Sequence, residues 1–450
     1  MTGVLALAIM SFALVQAMSI PVIGSIAEVY DTSAATATWV LTAYLVSASV
    51  ATPMLGRLGD MVGPVPIMVL SLAVLSAGCF LAAVAPSIGV LIAARAVQGI
   101  GGGVMPLAFG IVRDVFPAAV VARRIGLLNG LMAVGMATGM VAAGPLLSAT
   151  SLGWLFLVPG IVTALAAIAA FLVVRSPARA VGEWMSPWSA AFLAGWLVLL
   201  MVATTWAPQR GWTDWSVLVA FVGGAVLLGA WVVAEFRVDV PVIDMAVMRH
   251  RSVLVGNLIA LAAGAVAIGS YAFIPQFVQQ APPVGFGSTV GESGLMLLPA
   301  AITTFVAGLV AVPGALRTSP ARVVVFGGAL AATGMCAMVV WRDHPWSVFV
   351  ATGSIGFGIG LIFACVSAAL VMAVPRDQTS VVSGMNANLR TIGGAIGTAA
   401  LTSVVAAHVD PASGASDAEG FMTAFVVLIG TAAVCGVAGL FLRPERYPAG

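Results

Sequence analysis

Apolar residues run along this chain in stretches of about 20, separated by short polar breaks. A helix needs about 20 apolar residues to cross a bilayer. Stretches of that length lie at 3–26, 35–55, 65–85, 88–112, 125–149, 154–174, 187–206, 215–234, 253–275, 290–312, 322–341, 346–374, 381–407 and 420–442. The pattern predicts an all-α membrane protein with fourteen transmembrane helices. The seventh and eighth spans are the least distinct, because the short connection between them carries several Trp. A membrane β-barrel is excluded, since its strands would alternate polar and apolar at every second residue.

Composition agrees. Hydrophobic residues make up 61% of the 450 and charged residues only 8%, against about 25% charged in soluble domains. No polar coat is available, which excludes a soluble enzyme, a nucleic-acid binder and a disordered chain. The net charge of +2 offers no strong field to an anionic macromolecule. The solvent must be lipid. All 18 basic residues are Arg. With a cytoplasmic N-terminus, fourteen fall in cytoplasmic segments: Arg57, Arg113, Arg123, Arg124, Arg175, Arg179, Arg237, Arg249, Arg251, Arg317, Arg322, Arg376, Arg443 and Arg446. Arg210 and Arg342 fall outside, and Arg95 and Arg390 sit within spans. The positive-inside rule therefore predicts that both termini are cytoplasmic. Trp39, Trp154, Trp188, Trp206, Trp212, Trp341 and Trp346 stand near span ends, as interfacial anchors should. The first span lacks the basic segment of a signal peptide. Cys79, Cys336, Cys365 and Cys435 lie inside helices, without metal-ligand or disulfide spacing.

Cytoplasmic loops at 175–186 and 235–252 divide the chain. The expected organisation is 6+2+6: a six-helix bundle over 1–174, an inserted helix pair over 175–252 and a second six-helix bundle over 253–450. The outer blocks share a faint repeat. Gly56-Arg57-Leu58 corresponds to Gly314-Ala315-Leu316, and Asn129, Gly135 and Gly139 correspond to Asn386, Gly393 and Gly397, at offsets of 257 or 258 residues. Parallel repeats of this kind mark transporters; chance likeness of Gly-rich helices is the competing explanation.

Three segments carry recognisable chemistry. In the first, Gly56-Arg57-Leu58-Gly59-Asp60-Met61-Val62-Gly63, the glycines permit a tight turn. Asp60 places a carboxylate at the positive end of a helix. Arg113 and Asp114 follow span 4 on the same face and extend a charge cluster toward Arg57. In the second, Arg95 through Gln98 to Gly103, a cation inside a span costs about 2.5–3.5 kcal/mol on insertion scales. Such a residue faces a bundle interior or a cavity and pairs with something. Gln98 is one turn on, on the same face. The third runs through Gly126, Gly130, Gly135, Gly139 and Gly144 to Pro145, a smooth strip for close helix packing. In this order and spacing the segments resemble the three signature motifs of the major facilitator superfamily. Trp39 through Tyr44, and Gly384 through Arg390 to Gly397, resemble its fourteen-helix drug:proton antiporter branch.

The resemblance implies roles for Gly56, Arg57, Asp60, Gly63, Arg113 and Asp114 as a cytoplasmic gating latch. It implies that Arg95 assists proton coupling and that Gly135, Gly139, Gly144 and Pro145 form an antiporter hinge. Simple loop capping and simple packing are the plainer readings of the first and third. Arg390 lies nearer the cytoplasmic end of its span, where snorkelling to the interface competes with function. The sequence also departs from the family. Met61, Val62, Pro64, Val65 and Pro66 stand where more basic residues are usual. Phe12 stands where the first helix of that branch carries an Asp.

Gln16, Tyr44, Arg95, Gln98, Asn257, Tyr271 and Arg390 are the expected cavity or coupling residues. A mostly apolar cavity with few hydrogen-bonding groups suits amphiphilic organic ligands. No carboxylate is expected deep within a span. The candidate proton sites are Glu28 and Asp31 after span 1, and Glu292 at the start of span 10. Partial burial would let Glu292 exchange a proton near neutral pH; its plainer role is to complement a helix dipole. No catalytic pair, nucleophile–base set, metal cluster or cofactor motif is visible. The reading is a monomeric secondary transporter of the bacterial cytoplasmic (inner) membrane. It exports hydrophobic or cationic drugs or a secondary metabolite in exchange for protons, with lipid, protons and a small organic substrate as its partners. The alternative is an exporter or facilitator of a small polar metabolite without proton coupling.

Overall fold

The computed structural model describes residues 1–175, 184–408 and 417–442. Arg179, Arg443 and Arg446, three of the arginines used to orient the chain, lie outside these residues. The predicted first span is two helices, α1 (Thr2–Met18) and α2 (Ile23–Val29), bent by 61°. Pro21 lies in the break, where its ring removes a backbone donor. α3 (Ala34–Val62) starts at Ser33, whose hydroxyl accepts the Thr36 N–H at 3.1 Å. The turn into α4 (Pro64–Ala83) uses Gly63 at φ +109°, a conformation that disfavours any side chain. The predicted fourth span is interrupted into α5 (Ile88–Gly99), a 3₁₀ turn over Ile100–Gly103 and α6 (Val104–Val115). The glycines there let two backbones meet. A Cβ on Gly99 would lie 2.5 Å from the Tyr44 carbonyl oxygen, and one on Gly102 2.6 Å from Thr52 Oγ1.

α7 (Ala118–Ala149) and α8 (Trp154–Val173) follow, then the pair α9 (Pro187–Arg210) and α10 (Trp215–Glu235). Beyond a short α11 (Met245–Met248) come α12 (Arg251–Gln279), α13 (Val290–Met296), α14 (Leu298–Arg317), α15 (Pro320–Val340), α16 (Pro345–Ala373), α17 (Thr379–Ala406) and α18 (Ala418–Gly439). Among the described residues thirteen helices or helix pairs are long and apolar enough to cross a membrane, and α1–α2 taken as one bent span makes fourteen. Helices suit this solvent because each satisfies its own backbone donors and acceptors. The outward faces of α8 and α10, with Leu165, Ile168, Phe171, Val219, Val222 and Val226 exposed, are matched to lipid rather than water.

The two outer blocks repeat the same helix crossings. Gly135 and Gly139 of α7 press on the backbone of Met10 and Leu14 in α1, and Gly393 and Gly397 of α17 press on Leu261 and Ala265 in α12. Gly126 of α7 meets the Gly308 carbonyl of α14, while Gly384 of α17 meets the Thr52 carbonyl of α3. The faint sequence repeat thus corresponds to repeated geometry. The glycine strip of α7 does not act as one surface: Gly126 and Gly130 face α14, and Gly135 and Gly139 face α1. Gly144 and Pro145 are exposed, and a Cβ on Gly144 would touch nothing within 4 Å. The close helix contact made by Gly135 and Gly139 therefore does not continue to Gly144.

α9 packs on α10 and also touches α3 and α17, so the inserted pair lies on the flank of the bundle across both blocks. It stands partly off α3, leaving a lateral apolar groove lined by Trp39, Val50, Met54, Ile92 and Val198. The end of α10 carries a carboxylate that was not anticipated in a buried position. Glu235 is 4% exposed. Its Oε1 accepts from Ser189 Oγ at 2.5 Å and Trp231 Nε1 at 2.7 Å, and its Oε2 from the Ile243 N–H at 3.4 Å. The chain after α10 folds back over it, which a span-by-span reading does not foresee. A buried acceptor with several donors is costly to delete. Glu235→Ala is expected to lower stability by roughly 1–3 kcal/mol, seen as a lower thermal midpoint of the purified protein, with Glu235→Gln intermediate.

Candidate functional site: the central cavity and its closed end

The ends of α3, α6, α14 and α16 and the start of α7 and α17 form one arginine-rich end of the bundle. There the two blocks are fastened together. α17 begins at Gln378 without a side-chain cap, leaving first-turn N–H groups free. Asp60 of α3 takes them: its Oδ1 accepts from the Ser380 N–H at 3.1 Å and its Oδ2 from the Val381 N–H at 2.8 Å. The carboxylate, 5% exposed, therefore faces the positive end of a helix from the other block. Gly56, one turn earlier, lets the chains approach; a Cβ there would lie 2.7 Å from the Ser380 carbonyl oxygen. Arg113 of α6 donates to the carbonyls of Val371 and Val374, the latter at 3.2 Å, at the end of α16. Cations are favoured at a helix C-terminus for the same reason that anions are favoured at the N-terminus. Asp114 stands beside Arg113, and the Arg57 Nε is buried with no hydrogen-bond partner.

Above this closure a cavity of about 200 Å³ runs between the blocks toward the opposite end. α1 contributes Phe12 and Gln16, and α3 contributes Tyr44 and Thr52. α7 brings Asn129 with Met132, Met136 and Met140, adaptable apolar side chains. Tyr271, Thr304 and Phe363 come from the second block, as do Asn388 and Arg390 of α17. No Asp or Glu is among these described lining residues. Arg390 is the cation of the cavity. Its Nη1 donates to Asn129 Oδ1 at 3.3 Å, across the two blocks. Its Nη2 donates to Ser367 Oγ and to Asn386 Oδ1, the latter at 2.9 Å, and its Cζ stands 4.3 Å over the Phe363 ring. These acceptors, two amides and a hydroxyl, are all neutral.

Arg95 lies behind the wall and is 0% exposed. Its Nε donates to the Val40 carbonyl at 3.1 Å, and its Nη1 to Gln98 Oε1 at 2.5 Å and to the Val15 carbonyl at 3.4 Å. Gln98 in turn donates to the Gly78 carbonyl at 3.1 Å. Arg95 thus ties α1, α3, α4 and α5 together. Its Cζ sits 4.4 Å from the centre of the Tyr44 ring, so one aromatic ring separates it from the cavity.

A helical bundle with repeated crossings, fastened at one end around a central cavity, is accompanied by a family match over residues 5–398 to the Major Facilitator Superfamily. The chain belongs to this superfamily. It is 24% identical to the Multidrug transporter protein MdtP of Bacillus subtilis over 82% of this chain and 69% of that protein. It is 28% identical to the Multidrug resistance protein B homolog of Mycobacterium tuberculosis over 83% of this chain and 70% of that one. With the Methylenomycin A resistance protein of Streptomyces coelicolor it shares 27% identity over 94% and 88% of the two chains. The solved human organic anion transporter MFSD10 shares the fold, with TM-score 0.69 and 16% identity over 97% of this chain and 98% of that one.

Within this superfamily chain the predicted site residues separate into three places. Gln16, Tyr44, Tyr271 and Arg390 line the cavity. Arg95, Gln98 and Asn257 do not; Asn257 is buried and its Oδ1 accepts from Asn386 Nδ2 at 3.1 Å, one step behind Arg390. Arg390 turns inward rather than snorkelling, because Asn129, Ser367 and Asn386 converge on it. Glu292 lacks the partial burial expected of it. It is exposed and closes a capping box with Thr289, accepting the Thr289 N–H at 2.8 Å. This is its plainer role, complementing the dipole of α13. Glu28 in the last turn of α2 and Asp31 just after it are exposed, Asp31 at φ 45°. Phe363 also lines the cavity, and nothing in the sequence distinguishes it from the other apolar residues of its span.

The closed end depends on two charge-assisted hydrogen bonds from one carboxylate, each worth about 1.5–3 kcal/mol. Asp60→Ala is expected to shift the conformational equilibrium at least tenfold toward opening of the arginine-rich end. Spin labels at Ala119 and Thr318, in a background lacking exposed Cys336, should report a longer distance population by electron–electron resonance. An unchanged distribution would dissociate Asp60 from closure.

Proposed function

We propose that this protein exports amphipathic small organic molecules, of the drug or secondary-metabolite kind, across the bacterial cytoplasmic membrane by alternating access. The observation that carries the reading is the cavity between the two blocks, shut on one side by Asp60 and Arg113 and extending toward the other. Blocks 1–174 and 253–450 would rock about this cavity, with the pair inside 175–252 riding on the flank. With the arginine-rich end taken as cytoplasmic, the arrangement corresponds to an outward-facing state. An apolar lining of Phe and Met around a few polar groups fits an amphipathic ligand better than a sugar or amino acid. Relatives named as multidrug and antibiotic-resistance proteins support export in the same direction.

Exchange against protons is proposed from the resemblance to the drug:proton branch. Arg95 would hold the wall beside Tyr44 in register during the cycle. Cells expressing the protein are expected to accumulate less of at least one compound in a panel of dyes and antibiotics than cells carrying an empty vector. Addition of a protonophore should remove that difference. Equal accumulation across the whole panel would overturn export, and export that survives the protonophore would overturn the proton exchange alone. Arg95→Ala is expected to reduce export at least tenfold, since it removes three hydrogen bonds from a fully buried node.

A further inference from the structure

We infer that the cavity takes organic anions, a carboxylate or a comparable acidic group on an apolar body, in preference to cations. The inference rests on the transport reading above and names its substrate class. Arg390 faces the cavity with a full charge and only neutral acceptors, Asn129, Ser367 and Asn386. Its Nε is buried with no hydrogen-bond partner. A guanidinium in a low-dielectric site without a counter-ion is incompletely compensated, and removing half of an ion pair is what makes buried charge expensive.

Other groups point the same way. Arg95 adds a second positive charge behind the Tyr44 ring. The Tyr44 hydroxyl, buried in the cavity wall, has no partner and is a donor available to an anion. Asn388, 2% exposed and two residues before Arg390, has both amide atoms unpartnered. The cavity therefore has one cation in its wall and a second a ring behind it, with free hydrogen-bond donors and no acid among its described lining residues. A lipophilic cation would enter against that field. An acid would complete it, forming a charge-assisted, planar pair with the guanidinium. The apolar remainder of such a ligand meets Phe12, Met132, Met136 and Phe363.

The test uses three probes on one body: 2-naphthoate, 2-naphthamide and 2-naphthyl-trimethylammonium. Binding is measured by equilibrium dialysis against the full chain in lipid nanodiscs, and efflux from proteoliposomes under the same conditions. Naphthoate is expected to bind at least tenfold more tightly than the amide, with the ammonium weakest. Arg390→Gln should remove the advantage of the carboxylate over the amide, and Arg390→Lys should keep part of it. Measurable amide binding and a cooperative thermal transition show that the Gln variant is folded. Equal or tighter binding of the ammonium by the unmodified protein would overturn the inference, and so would failure of all three to bind. A carboxylate advantage that survives Arg390→Gln would overturn the assignment to this residue. Transport of the ammonium or the amide without a carboxylate preference would leave export standing while the anion preference falls. Loss of all export in the drug panel would instead remove the underlying reading.

Discussion

One carboxylate holds the closed end of this bundle. Asp60 reaches from the last turn of α3 to the uncapped start of α17, 320 residues away in sequence. Helices in lipid satisfy their own backbone groups everywhere except at their ends. The ends are therefore where two halves can be joined by strong, directional bonds that are still reversible. Asp60 takes the donor end of one helix and Arg113 the acceptor end of another. Gly56, Gly126 and Gly384 clear the space that lets these groups meet. Everything above depends on that fastening: the cavity has a floor because the two blocks are drawn together beneath it.

Much of the fold was legible because bilayer thickness imposes a length on every helix. Fourteen stretches of about 20 residues translate into helices with little help from local detail. The details that were missed depend on three-dimensional return. Pro21 removes a backbone donor where the first span bends, and the glycines of 99–103 stand where α3 and α4 approach the fourth most closely. Hydropathy averages over both. Glu235 reads as a residue at a helix end, where it ordinarily meets water. Its burial requires the following loop to fold back, which no span pattern encodes.

The site was legible by residue type and illegible by direction. An arginine inside a span must face the protein interior, and both Arg95 and Arg390 do. The sequence does not say that Arg95 stands behind Tyr44 while Arg390 faces the cavity. That distinction is made by partners 261 residues away for Arg390 and 55 away for Arg95. Glu292 shows the converse. Its local sequence, Thr289 followed three residues later by Glu, is a capping box, and that local signal outweighed the functional role asked of it.

The fixed charge of Arg390 facing the cavity would have an electrical consequence in the proposed cycle. As the cavity changes the side it faces, that charge changes the solution whose potential it shares. A membrane potential of 100 mV acts on one such charge with up to about 2.3 kcal/mol. The empty carrier is then drawn toward the state facing the negative compartment. A carrier whose guanidinium has been neutralised by its cargo feels no such pull and can turn the other way. With the proposed anionic cargo, voltage alone would reset the empty carrier and spare the loaded one, and a cavity of this charge would act as an electrical rectifier.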